Sequence, residues 1–230
     1  MEGEGPGDLQ KEGQMIKVEH IDVRGMHAAI RGMRNPMNSW DRSDSYDVDL
    51  DEGGPSIYII GDADLKLMKQ LLQAGPEHRK YLRMIMVYMD ITAPLYWWKE
   101  YDTYKVSTVA NSCSTMHKIT SKPIEVSDFS MDDFYITDEG IDLKDCFINV
   151  VADCEMLRMK YLETKDKRYW RGLIQLLPSS YNQKRTVMFN YETALSMIRQ
   201  RSGHKLDEWR EFVQVLQDLP YMKILVEGEE

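Results

Sequence analysis

QLLPSSYNQKRTVMFNYETALSMIRQRSGHKLDEWR, residues 175–210, is the stretch whose reading decides the fold. It predicts a helix with Asn190 at one end and Arg201 at the other. An interval of eleven residues, at about 100° per residue, is three turns plus roughly 20°. The amide and the guanidinium therefore point the same way, about 16 Å apart along the axis. Ala194, Met197 and Ile198, small or apolar, lie between them on that face. Such a face suits a long, flat, anionic ligand, and a nucleotide or a flavin has that shape. Arg199, Arg201, His204 and Lys205 crowd the far end of the helix. Cations there complement the macrodipole, which is a purely structural reason for them. Guanidinium is also the preferred bidentate partner of phosphate.

Upstream of Leu177-Pro178 the pattern is mixed. Residues 15–24 alternate apolar and polar and predict a strand. Residues 26–34 predict a short helix ended by Asn35-Pro36, and 38–56, rich in Asp, Ser and Gly, read as a loop. Residues 57–60 form a short apolar strand. A helix over 64–74 carries Leu65, Met68, Leu71 and Leu72 and stops at Gly75-Pro76. Residues 83–94 predict a strand closed by Pro94. The aromatic segment 94–105 is a helix or an irregular stretch, and 120–140 is polar and loop-like. The longest helix falls over 141–162, with Leu143, Phe147, Val150, Cys154, Leu157 and Tyr161 at 3–4 spacing. A last helix covers 205–217, with Leu206, Trp209, Val213 and Leu216 on one face. No repeat and no linker composition stands out. The expectation is one α+β domain over 15–222, between a disordered tail at 1–14 and an acidic tail at 223–230.

Composition narrows the partners. The chain has 230 residues, 43% of them hydrophobic, with 5 Trp, 13 Tyr and 16 Met, enough for a substantial core. The net charge of −9 gives no basic face for nucleic acid. No apolar run is long enough to span a membrane. Cys113, Cys146 and Cys154 show no paired spacing and read as reduced thiols of a cytoplasmic protein.

The segment 103–118, TYKVSTVANSCSTMHK, is the second candidate for ligand contact. Its hydroxyls, Asn111, Lys105, His117 and Lys118 can cradle phosphate. His78, after Gly-Pro-Glu, sits at a helix-to-strand junction. There is no HExxH, no GxGxxG, no P-loop and no G-x-S-x-G, so no metal site, dinucleotide fold or serine hydrolase is indicated.

In this order the motifs resemble the flavin-dependent thymidylate synthases (the ThyX family), from about residue 15 to 212. That family shows Leu-Pro, an Asn twelve residues after the Pro, an Arg eleven after the Asn, then a His. Leu177-Pro178, Asn190, Arg201 and His204 match, with the His one residue early. DADLKLMKQLLQAGPEH, 62–78, is similar to the family's Asp-x-x-Leu helix ending in Gly and His, and Ala93-Pro94 matches its Ala-Pro. The family's second His is Met84 here, and its Arg-Gln-aromatic triplet is Lys99-Glu100-Tyr101.

The signature R-H-R-x-x-S-x-N-E-x-S-x-R-Y departs most. Its R-H-R falls on Thr103, Tyr104 and Lys105. With one extra residue, Asn111 and Ser114 match, while Ser112, Met116 and His117 replace Glu, Arg and Tyr. The family's Arg before Leu-Pro is Ile174, with Arg171 about one turn away.

The resemblance implies a ThyX-like α+β fold, a central twisted antiparallel sheet flanked by helices. It implies FAD as cofactor and reductive methylation of dUMP to dTMP, with folate as carbon donor, in a homotetramer. Arg201 would hold phosphate, Ser114 would sit near the pyrimidine, and His78, Tyr104, Lys105, Asn111, Asn190, Ser196 and His204 would contact the cofactor. Lys99, Lys105, Lys118, Arg171, Lys184 and Arg185 could replace lost charge, although Lys lacks the bidentate fork. The alternatives are a catalytically degenerate flavin- or nucleotide-binding protein of the same fold, and a nucleotide enzyme that stacks a base on the aromatic run Tyr96–Tyr104.

Overall fold

The computed structural model describes residues 15–50, 56–114, 118–136 and 140–228. The expected tail at 1–14, and Met116 and His117, lie outside the described residues. In chain order the elements begin with β1 (Lys17–Arg24), α1 (Met26–Met33), β2 (Tyr46–Asp49), β3 (Ser56–Ile59) and α2 (Asp62–Gln73). Next come β4 (Met86–Pro94), α3 (Leu95–Tyr101), β5 (Val109–Ser112), β6 (Tyr135–Ile136), β7 (Ile141–Asp142) and α4 (Lys144–Thr164). The last are α5 (Lys167–Leu176), β8 (Asn182–Asn190), α6 (Tyr191–Arg201), α7 (Asp207–Gln217) and α8 (Met222–Glu227). Four strands form a sheet of order β1-β4-β8-β5, and β2-β3 and β6-β7 are antiparallel hairpins. The class is α+β with an antiparallel sheet, as the sequence predicts.

The chain divides into two compact units. Among the described residues, one comprises those up to Glu19, within Asp90–Tyr104 and within Ala110–Thr186; the other comprises those within His20–Met89, Lys105–Val109 and from Val187 onward. Both units are discontinuous in sequence, so no linker composition marks their boundary.

The first unit is built on α4 and α5. Val151 and Cys154 of α4, Leu173 of α5, and Ile119, Ile124 and Phe129 make its core. Lys165, in the left-handed conformation at φ 59°, ends α4. Asp166 then caps α5, accepting from the Arg168 N–H at 2.9 Å. Helix α3 follows β4 without a loop. Its Trp97, Trp98 and Tyr101 are buried and pack ring on ring, with centroids 4.9–5.3 Å apart. These three aromatics are therefore core, which removes most of the run Tyr96–Tyr104 as a base-stacking platform.

Burial, with Asp153 nearby, pushes the Cys154 thiol up to about 11. Cys113 and Cys146 are exposed. A thiol reagent at pH 8 should therefore modify Cys113 and Cys146 in the folded protein and Cys154 only after unfolding. Mass spectrometry of the labelled peptides checks this, and rapid native labelling of Cys154 would contradict it.

In the second unit, α1 buries Ala29, Ile30 and Met33. Gly25, at φ 91°, lets the chain pass Met84, whose carbonyl oxygen a Cβ would strike. Helix α2 buries Leu67, Met68 and Leu72, so its inner face is centred one residue away from the stripe expected through Leu65 and Leu71. Its first turn carries Asp62 and Asp64. Asp64 is fully buried and pairs with Arg34 at 2.5 Å. It also accepts from the Ser43 and Ser45 hydroxyls at 2.7 Å and from the Asp44 and Ser45 N–H groups at 3.2 Å.

Helix α7 packs on α6 through a face containing Trp209, Phe212, Val213 and Leu216. Residues 222–227 form α8, which packs on α2 and α7 with Met222 and Leu225 buried. Residues 223–227 of the expected acidic tail therefore belong to this helix, and Glu229 and Glu230 lie outside the described residues. Strand β2 lies inside the expected loop at 38–56: Tyr46 and Val48 alternate with Asp47 and Asp49, and all four are exposed.

Candidate nucleotide- and flavin-binding site

The second unit holds Arg201, His204, Asn190, Ser196, His78 and Lys105; Tyr104, Asn111 and Ser114 belong to the first. Strand β8 turns directly into α6, and Asn190 is the residue at the junction. It is 2% exposed, and its side-chain oxygen accepts from the Thr193 N–H at 2.9 Å. It is an N-cap, so that oxygen serves the helix start. Ser196 accepts from the Gln200 amide at 3.0 Å.

Two other segments converge on the first turn of α6. The Thr193 hydroxyl donates to the Val106 carbonyl at 3.3 Å, tying down the residue next to Lys105. Arg79, next to His78, donates to Glu192 at 2.6 Å. His78 itself is exposed, and its N–H donates to the Gly75 carbonyl at 3.0 Å. The structure thus gathers the loops bearing His78 and Lys105 around the helix start capped by Asn190. There the macrodipole and the leading N–H groups favour an anion.

Arg199 lies on the same side of α6 as Glu192, two turns on. Its guanidinium is held below the usual arginine range by partial burial and by Arg79, against the pull of Glu192. Two guanidiniums thus surround one carboxylate, a local excess of positive charge. The sequence reading missed Arg79 and Glu192 because residues 113 positions apart carry no joint spacing signal.

The far end of α6 is ordered by Trp209. The Arg201 guanidinium lies 4.7 Å from the centre of that ring, a cation–π contact. His204 meets the same ring edge-on at 6.1 Å, and its Nδ1 accepts from the Leu206 N–H at 3.2 Å. Arg201 and His204 thus share one ring, whereas Asn190, extended in backbone and 2% exposed, spends its side-chain oxygen on the helix start and offers no exposed face in line with Arg201.

Two of the candidate replacement cations are engaged elsewhere. Lys184 pairs with Glu19 at 3.2 Å and Asp90 at 3.1 Å. Arg185 stacks on Trp98 at 4.2 Å and bonds Asp102 and Gln183 at 2.8 Å. Arg171 is exposed on α5. Among the described residues no cluster of His, Cys, Asp and Glu could hold a metal, and no helix is long and apolar enough to cross a membrane.

No protein-family model and no curated protein matches the chain. Solved structures do. Thymidylate synthase X from Helicobacter pylori, crystallised with FAD and dUMP, aligns with a TM-score of 0.66 at 16% identity, covering 94% of this chain and 99% of that one. A second structure of the H. pylori enzyme with FAD and dUMP gives 0.65 at 16% identity, covering 93% and 99%. At that identity the likeness establishes the fold: this chain has the ThyX-like α+β fold.

Proposed function

We propose that the chain binds FAD and the phosphate of a deoxyuridine nucleotide, and that it acts as a flavin-dependent thymidylate synthase on dUMP. The observation that carries this reading is Arg201, oriented on Trp209 at the end of the helix that Asn190 caps. FAD, when bound, supplies the hydride, with methylenetetrahydrofolate as the source of the carbon. Arg201 takes the nucleotide phosphate as a bidentate donor. The start of α6, with His78 and Lys105 beside it, takes the anionic cofactor, and Arg79 and Arg199 supply the field that favours it. Asn190 fixes the helix start from which that field acts. Tyr104, Asn111, Ser114, Ser196 and His204 keep the roles the resemblance gives them. The working form is a cytoplasmic homotetramer.

A second reading, binding without turnover, is favoured by a specific observation. Thr103 and Tyr104 stand where the signature has its first Arg and its His, Met116 stands for its last Arg, and Lys184 and Arg185 are held in ion pairs. Each lost charge-assisted hydrogen bond removes on the order of 1.5–3 kcal/mol.

Purified protein separates the readings. Flavin absorbance, or FAD uptake with a raised melting temperature, is expected under both. Rescue of a thymidine-requiring bacterial strain is expected only for the synthase. Arg201→Ala should weaken dUMP binding at least about tenfold, the scale of one charge-assisted bond. A colourless protein that takes up no FAD, or an Arg201→Ala variant with unchanged dUMP affinity, sinks the proposal.

A further inference from the structure

A cleft of about 490 Å³ lies in the second unit, away from α6, bordered by the residues that follow α1 and by one side of α2. Its charged lining consists of Arg34, Arg42, Lys66 and Asp41, and Asn38 and Gln70 add amides. We propose that this cleft binds a phosphorylated small molecule of nucleotide size, with its phosphate held by Arg34, Arg42 and Lys66.

The strongest sign is Arg34. It is only 4% exposed, and two of its three nitrogens are used: Nε on Asp64 at 2.5 Å and Nη1 on the Ser39 carbonyl at 3.2 Å. Nη2 is buried and has no hydrogen-bond partner among the described residues. A buried guanidinium nitrogen without an acceptor is unfavourable, and Arg34 is one of the residues that line the cleft. Asp64 cannot serve, because its oxygens already accept from Arg34, two hydroxyls and two backbone N–H groups.

Arg42 and Lys66 make the site cationic. Both are exposed, and neither forms an ion pair among the described residues. With Arg34 already paired to Asp64, Arg42 and Lys66 against the carboxylate of Asp41 leave a net +1 at the cleft, in a chain whose net charge is −9. Arg42 and Lys66 line the cleft without a carboxylate partner among the described residues, and a phosphate would supply an anionic one. The volume falls within the roughly 300–1,000 Å³ of small-molecule sites. Asn38 and Gln70 offer donors and acceptors to an uncharged moiety beside the phosphate.

Calorimetric titration of the full chain tests this in an Arg201→Ala background, which removes the phosphate ligand proposed on α6. Pyrophosphate and AMP should bind, and adenosine should not. Arg42→Glu with Lys66→Glu should weaken AMP about a hundredfold, one factor of ten per lost charge-assisted bond. Both residues are exposed, so the melting temperature should hold. Asp41→Asn should tighten binding, and added salt should weaken it. Adenosine binding as tightly as AMP, or AMP affinity unmoved by the double substitution, overturns the proposal. If pyrophosphate binding disappears with Arg201→Ala alone, the α6 site stands and this one falls.

Discussion

Asp64→Asn should lower the unfolding free energy by about 3–5 kcal/mol, the scale for removing one partner of a buried ion pair. The substitution keeps the shape but strands the buried Arg34 charge. It also weakens the acceptor for the Ser43 and Ser45 hydroxyls and for two N–H groups, which together fold the 43–45 segment onto the start of α2. Burial pushes the Asp64 carboxyl up, but Ser45, Ser43 and Arg34 outweigh it and hold the group below its ordinary value. A carboxyl depressed on folding stabilises the protein above its unfolded value, near 3.9, and that contribution is lost as pH falls through the folded value. The wild type should thus show an acid loss of stability below about pH 4 that Asp64→Asn lacks. Urea unfolding at pH 7 and pH 3 measures both parts. A loss under 1 kcal/mol at pH 7, or parallel acid limbs, would show that the pair is not what holds this corner.

Trp209→Ala should cost about 3–5 kcal/mol, as large-to-small changes of buried aromatics do. The ring is fully buried on the α6-facing side of α7. It also carries Arg201 on its face and His204 at its edge. Its removal should therefore weaken dUMP binding as well as the fold, because Arg201 loses the surface that orders it. Trp209→Phe preserves an aromatic face and should recover most of the affinity while leaving part of the stability loss. If Trp209→Ala, at a temperature where it remains folded, binds dUMP like the wild type, the ring does not order Arg201 for phosphate.

Long periodic elements were legible because burial follows period. The predicted ranges for β1, α1, α2, β4, α4 and α7 overlap the observed ones. The interval from Asn190 to Arg201 spans a single helix, but Asn190 is the extended N-cap that precedes it, so the interval does not fix the direction of the Asn190 side chain. Strand β8 and helix α5 were harder. Asn182–Arg185 is polar while Val187–Phe189 is apolar, so no single alternation runs through β8. Helix α5 presents Trp170, Leu173 and Ile174 to its core at 3–4 spacing, a stripe too short to stand out beside that of α4. The Arg79–Glu192 pair and the Arg34 cleft depend on residues far apart in the chain, which no local pattern encodes.

The junction at Asn190 has a consequence for how this chain can diverge. Strand passes to helix with no intervening residue, and Arg201 must land on Trp209 three turns later. One inserted residue within α6 would swing Arg201 by about 100° around the axis and off the ring. A changed side chain between the two ends would do far less. Drift can rewrite the letters here but not lengthen or shorten the word, so in remote copies of this helix length should outlast spelling.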